Sequence, residues 1–257
     1  MFTLITGASS GIGYELAKIC AKNKHNLILV ARNKVVLDRF AIELMETFNI
    51  KVEVIASDLS DINNCLKVFE KVQDKGLMVD ILVNNAGFGD HGLFVKGDWL
   101  KFQEMIQLNI STLTYLTYLF LPNMITQKNG KILNVASTAS FLPGPLMSVY
   151  YATKAYVLSF SEALSEELSD TGVTVTTLCP GPTSSGFQKI AKMDNMPVLN
   201  FWKQPSSYDV AEYGYKSMTA GKSVVVHGLI NKIIIQIIRL TPRKFVAKMV
   251  RRLQEKR

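Results

Sequence analysis

An apolar run at residues 2–5 breaks into Thr6-Gly7-Ala8-Ser9-Ser10-Gly11-Ile12-Gly13, and a stretch of helical composition, residues 14–22, follows at once. Strand, glycine-rich turn and helix in that order are the setting in which a dinucleotide fingerprint has meaning. Gly7, Gly11 and Gly13 permit a tight turn and close approach of backbone to a pyrophosphate. The helix that starts there offers unpaired N–H groups and the positive end of its dipole. An ordinary strand-to-helix turn is the other reading of the same residues.

The pattern repeats along the chain. Residues 27–31, 52–56, 80–83, 131–136, 173–178 and 223–227 read as further short strands, and helical segments lie between them. Strands and helices alternating at this spacing imply right-handed crossovers and an α/β fold. The expectation is one doubly wound Rossmann-type domain over residues 1–228, a parallel sheet of about seven strands with helices on both faces. Residues 229–257 are expected to form a C-terminal helical extension on or beside it. Ligands of such sheets gather beyond the carboxyl ends of the strands, where the polar turns fall.

A second feature lies in residues 148–168, an apolar, Ser- and Ala-rich segment without Pro or Gly. On a helix, Tyr150 and Lys154 share a face, and a fixed cation beside a phenol favours the phenolate. The same spacing also occurs on ordinary solvated helix faces. Asn109 interrupts the helical region 98–127, which predicts a local kink or a buried hydrogen bond. Ala31 and Arg32 stand at the end of the second strand, where an acid would hold an NAD ribose; a basic residue there suits a 2'-phosphate. NADP(H) is therefore expected over NAD(H), the alternative being a solvated arginine at a helix start.

Together these motifs resemble the short-chain dehydrogenase/reductase family over nearly all of residues 2–228: the glycine motif from Thr6 to Gly13, Asn84-Asn85-Ala86-Gly87, Pro180-Gly181, and Asn109, Ser137, Tyr150 and Lys154 in the order and spacing of its catalytic tetrad. The resemblance implies that Tyr150 exchanges a proton with a carbonyl or alcohol oxygen while hydride passes to or from the nicotinamide. It implies that Lys154 holds the nicotinamide ribose and lowers the Tyr150 pKa, that Ser137 orients the substrate oxygen, and that Asn109 holds a water leading to solvent. Gly7, Ser9, Ser10, Gly11, Ile12, Gly13, Arg32, Asp58, Leu59, Asn85, Ala86, Gly87, Pro180, Gly181 and Thr183 would line the cofactor with Tyr150 and Lys154. Tyr151 and Tyr156 read as packing. Within the family the texture is nearest to a bacterial DltE-like branch, which also resembles long-chain 3-oxoacyl-CoA and 17β-hydroxysteroid reductases.

Residues 88–95, 141–149 and 184–207 would flank the carbonyl. The last includes Phe187, Ile190, Met193, Met196, Leu199, Phe201 and Trp202, which suits a lid over a lipophilic substrate or an ordinary packed helix pair. His91 reads as a polar rim residue rather than a metal ligand, and no metal is expected. Cys20, Cys65 and Cys179 suggest neither disulfides nor zinc, so a reducing cytoplasm fits, and residues 1–7 carry no leader-like pattern.

The net charge is +8; residues 239–257 hold eight basic side chains against Glu255, which is +7 and leaves +1 for the remainder. The basic segment lacks interleaved aromatics, which argues against nucleic acid. Residues 229–240 are too short to span a bilayer, and Thr241-Pro242 reads as N-cap and first position of a further, amphipathic helix. These helices can dock on anionic lipid, pack on the body or a second subunit, or meet an acidic acyl carrier. A cytoplasmic homo-oligomer, dimer or tetramer, is expected, with peripheral membrane contact one of these alternatives for its C-terminal helices. A non-catalytic NADP(H)-binding sensor or assembly protein is the competing function.

Overall fold

The computed structural model describes residues 1–184, 186–191 and 204–255. Seven strands, β1 (Phe2–Thr6), β2 (Asn26–Ala31), β3 (Val52–Ala56), β4 (Val79–Asn84), β5 (Gly130–Val135), β6 (Val173–Cys179) and β7 (Val224–Val226), form one parallel sheet in the order β3-β2-β1-β4-β5-β6-β7. Chain order reverses between β1 and β4, so the crevice beyond their carboxyl ends is the topological switch point of the sheet. The expected α/β architecture is the one found.

Both faces of the sheet are covered, which is why the inner strands are almost continuously apolar. On one face, α1 (Gly11–Lys22) and α2 (Lys34–Phe48) bury Leu16, Ala17, Leu37 and Leu44 on the β1 and β2 side of the sheet, and α8 (Ser207–Thr219) buries Val210 and Met218 beside α1 over β5 and β6. On the other, α3 (Asn63–Asp74), α5 (Leu113–Thr126) and α6 (Ser148–Glu167) bury Val68, Val72, Leu116, Phe120 and Leu164. Local chemistry sets the ends of these helices. The Asn33 side chain accepts from the N–H of Val36 at the start of α2, and Asn49 closes it in the left-handed conformation at φ 51°. Ser206 and Asp209 form a capping box at the start of α8.

Between α4 (Trp99–Ile106) and α5 the chain winds as a π-turn, Gln107–Thr112, with Asn109 inside it. The interruption expected at Asn109 is thus a widened turn, a form found often at functional sites. A short turn of 3-10 helix, Thr138–Phe141, follows β5, and a single helical turn, α7 (Phe187–Ile190), follows β6.

The chain ends in α9 (Leu229–Leu240) and α10 (Arg243–Gln254). Pro242, not Thr241, holds the N-cap of α10. Thr241 closes the preceding helix instead: its N–H bonds to the carbonyl of Ile238 at 3.1 Å and its hydroxyl to that of Ile237 at 2.8 Å. No side-chain oxygen accepts from the first N–H groups of α10, since proline at its N-cap has none to offer.

Candidate active site

The glycine turn is assembled by a clamp that the sequence did not reveal. The hydroxyl of Thr6, at the end of β1, donates to the carbonyl of Val83 and accepts from the N–H groups of Asn85 (2.9 Å) and Ala86 (3.0 Å). The Asn85 amide in turn donates to the carbonyls of Thr6 (2.9 Å) and Gly7 (3.3 Å). Asn85 was expected to touch the cofactor; its side-chain N–H groups are spent on bracing the turn against β4. The two middle strands are thereby locked at the crevice.

This packing explains two of the glycines. Gly7 lies at φ +66°, and a Cβ there would sit 2.8 Å from the Asn85 amide nitrogen; a Cβ on Gly13 would lie 2.5 Å from the carbonyl oxygen of Gly7. The second obstacle is backbone, which cannot swing away. Gly13→Ala is expected to destabilise the protein by about 1–3 kcal/mol, a fall of several degrees in Tm for a chain of this size, checked by thermal melting.

Does the turn suit a dinucleotide? Ser10 caps α1 without a side-chain hydrogen bond, so the first N–H groups of a twelve-residue helix face the turn with no intrahelical acceptor. Gly7 and Gly11 (φ +57°) open the backbone beside them. The cradle fits a pyrophosphate. Ser9, Ile12, Ala86 and Gly87 border the same crevice by their places in these two turns. Arg32 is exposed immediately after β2, and Asp58 lies beyond β3. Burial pushes the Asp58 carboxyl upward, but hydrogen bonds from the Ser60 N–H and hydroxyl and the charge of Arg32 bring it below its ordinary value. Leu59 is buried, its carbonyl taking the Thr112 hydroxyl at 2.5 Å.

Four further side chains converge beyond β4 and β5. Asn109 is 1% exposed; its amide donates to the Phe88 carbonyl and to the Thr153 hydroxyl, both at 3.0 Å, and its oxygen accepts from the Phe88 N–H. A Cβ on Gly87 would fall 2.9 Å from that oxygen and 3.6 Å from Nζ of Lys154, so Gly87 is the gap between them. Tyr150 and Lys154 share the inner face of α6, with Nζ 6.0 Å from the centre of the phenol ring. Lys154 Nζ donates to the Val135 carbonyl at 2.7 Å. Ser137, just beyond β5, stands near enough to the Tyr150 hydroxyl to lower its pKa. Its own hydroxyl accepts from the Ala139 N–H and donates weakly to the Pro180 carbonyl at 3.4 Å, which joins the β5 and β6 turns. Thr183, after Gly181, donates to the Gly181 carbonyl.

The electrostatics depart from the sequence expectation. Lys154 was expected to make Tyr150 acidic, yet burial pushes the Tyr150 phenol well above its ordinary range, only partly offset by Ser137. Burial also lowers the Lys154 ammonium to about 8, with Cys179 nearby acting the other way. At a 6.0 Å distance and with Nζ turned to a carbonyl, the lysine does not outweigh desolvation of the phenol.

Tyr150 is covered by hydrophobic groups. Phe187 stands 5.3 Å from it between ring centres, and a Cβ on Gly89 would touch Phe187, Met147 and Tyr150. Of the proposed lid, Phe187 packs here and Ile190 is exposed; Met193, Met196, Leu199, Phe201 and Trp202 lie outside the described residues. Tyr156 bonds to Thr114 on the outside of α6. Tyr151 is more than packing: its hydroxyl meets the Gln254 amide of α10 at 2.5 Å, and His91 bonds to the Gln254 carbonyl at 3.0 Å. Gln254 gave no sequence signal, because nothing local to residue 254 marks a contact across more than a hundred positions.

A doubly wound sheet with a glycine cradle at its switch point, and a Tyr, Lys and Ser gathered beside it, defines a nicotinamide-dependent oxidoreductase. Comparison with known proteins agrees. The family described as short chain dehydrogenase matches residues 2–195. Human very-long-chain 3-oxoacyl-CoA reductase is 32% identical over 241 residues, 91% of this chain and 74% of the human protein. A short-chain dehydrogenase from Sphingobium yanoikuyae in complex with NADPH superposes with a TM-score of 0.83 at 30% identity, covering 93% of each chain. The bulky-bulky ketone specific alcohol dehydrogenase of Comamonas testosteroni gives 0.79 at 28%, covering 93% and 92%. The chain belongs to the short-chain dehydrogenase family.

Proposed function

We propose that this protein is an NADP(H)-dependent oxidoreductase that interconverts a carbonyl and a secondary alcohol on a lipophilic substrate, with Tyr150 as proton donor or acceptor. The observation that carries the reading is the meeting of Tyr150 and Ser137 with Lys154, which together with Asn109 borders the Gly87 gap. When bound, the nicotinamide supplies or accepts the hydride. Ser137 holds the substrate oxygen beside the phenol, and Tyr150 keeps its proton until that oxygen gains electron density. A phenol raised by burial is a held donor, which suits reduction; alcohol oxidation must first remove that proton and is expected to accelerate as pH rises. Lys154, with the Val135 carbonyl as its anchor, presents a cation toward the ribose side of the crevice. Asn109 fixes the Phe88 backbone and Thr153, and so holds the wall through which protons reach Lys154.

Phe187, Met147 and Gly89 around Tyr150 support a lipophilic substrate, in keeping with the very-long-chain and bulky-ketone activities named for the relatives. Arg32 supports NADP(H). Its exposed guanidinium follows β2, where a 2'-phosphate would lie, and Arg32→Ala is expected to raise KM for NADPH about tenfold while leaving NADH little changed. The same reading takes the protein as a cytoplasmic homo-oligomer, in keeping with three buried cysteines without a disulfide. Oxidation of NADPH and NADH against aldehydes, short and long 3-oxoacyl thioesters and ketosteroids tests the whole. Preference for NADH would remove the Arg32 argument, and indifference to chain length or bulk would remove the lipophilic one.

A further inference from the structure

The C-terminal helices carry two faces with different partners. Inward, Ile235 of α9 and Val246, Val250 and Gln254 of α10 are buried. Gln254 ties α10 to both sides of the substrate mouth, through Tyr151 beside Tyr150 and through His91. The orientation of the helices on the body is therefore fixed by packing and by hydrogen bonds. Outward, α9 exposes Leu229, Ile230, Ile233, Ile237 and Leu240, which fall within one stripe of the helix; Ile233 is 51%, Ile237 58% and Leu240 90% accessible.

In α10 the next residues at helical spacing continue the theme. Phe245, 62% accessible, and Met249 share a side with Arg252, while Lys244, Lys248 and Arg251 form the adjoining stripe. Among the described residues, Arg251 pairs with Glu255, and Lys244, Lys248 and Arg252 form no ion pair. Among the described residues no helix is long and apolar enough to cross a membrane. Exposed isoleucines and a phenylalanine edged by lysine and arginine match the hydrocarbon and phosphate layers of a bilayer surface, and the charge of residues 239–257, +7 of a total of +8, requires that surface to be anionic.

We infer that the outer face of α9 and α10 docks on an anionic bilayer and that Gln254, by fixing α10 beside Tyr151 and His91, holds the substrate mouth at the lipid interface. The inference rests on the lipophilic substrate proposed above and deepens it: such a ketone or acyl chain partitions into the bilayer and reaches Tyr150 from there. Docking requires no cofactor or turnover, so it can be measured apart from the chemistry.

The test is sedimentation of the full chain with vesicles of phosphatidylcholine alone and of phosphatidylcholine mixed with phosphatidylserine. Binding is expected to the mixed vesicles only and to weaken at high salt. Lys244→Ala/Lys248→Ala/Arg252→Ala is expected to reduce partition on the order of a hundredfold, and Ile233→Gln/Ile237→Gln to abolish it, both at unchanged Tm. Absent binding, equal binding to the two vesicles, or binding indifferent to both variants would overturn the inference. So would light scattering that shows a dimer converted to monomer by Ile233→Gln/Ile237→Gln, since the face would then belong to a second copy. Loss of ketone reduction in solution would instead count against the proposed function and leave vesicle binding intact.

Discussion

Tyr150→Phe is expected to reduce NADPH-dependent carbonyl reduction by about 10²–10⁴-fold, the usual contribution of a positioned proton donor, while NADPH affinity stays within about twofold. The contrast follows from what the substitution removes. The ring keeps its contacts with Phe187, Met147 and the Gly89 backbone, so the apolar packing around α6 survives. Only the hydroxyl goes, and Ser137, whose side chain partly offsets the effect of burial on it, stays in place. Taking away a buried hydroxyl leaves Tm level or slightly raised, which separates loss of chemistry from loss of fold. Tyr151→Phe serves as the control one residue on: it deletes the contact with Gln254 and is expected to raise KM for bulky substrates more than it lowers kcat. Equal kcat for wild type and Tyr150→Phe would sink the mechanism, because no other acid in the described site stands beside Ser137.

The same residues show what the sequence could and could not disclose. Alternation of strands and helices is a local pattern, so the seven strands and the position of the crevice follow from it almost element by element. Gly7, Gly11 and Gly13 are legible for the same reason, since backbone conformation leaves a local trace. Long-range polar contacts do not. The amide of Asn84 bonds to Thr117 and Asn134, and Asn134 to Ser161, a buried chain linking β4, β5, α5 and α6 that no spacing rule anticipates. Thr6 looked like the first letter of a motif and is in fact its clamp. Asn109 showed as an irregularity, but that its amide would bond to Phe88 and Thr153 required the packing of three segments.

Electrostatics were the least legible part. The sign of a pKa shift depends on competition between burial and charge, and the sequence reveals the charge at i+4 without revealing the burial. Tyr150 and Lys154 were read as a cation that acidifies a phenol. In the folded protein both are nearly inaccessible, at 8% and 6%, and desolvation drives each toward its neutral form. Tyr150 is therefore held in the neutral form that burial favours, whereas Lys154, still charged at neutral pH, is held against its burial.

That cost has a measurable counterpart in Lys154→Met, which is expected to abolish most activity and yet stabilise the protein near neutral pH. Burial lowers the ammonium from 10.5 to about 8. At pH 7 both folded and unfolded chains carry the proton, and the folded chain bears the full desolvation penalty, on the order of 3 kcal/mol. Loss of the hydrogen bond to the Val135 carbonyl offsets about 1 kcal/mol of the relief, so a net gain of roughly 2 kcal/mol, several degrees in Tm, is expected. The pH dependence identifies the cause. Between about 8 and 10.5 the unfolded chain binds the proton and the folded chain does not, so this group makes wild-type stability rise with pH across that window. Methionine has no such titration. The advantage of Lys154→Met is therefore expected to be complete below pH 8 and to vanish, or reverse by the lost hydrogen bond, as pH approaches 10.5. Melting curves of the two proteins at pH 7 and near pH 10 decide the matter: a constant difference would mean that the lysine is not charged against its surroundings, and a destabilised variant at pH 7 would mean that its bond to Val135 outweighs its burial.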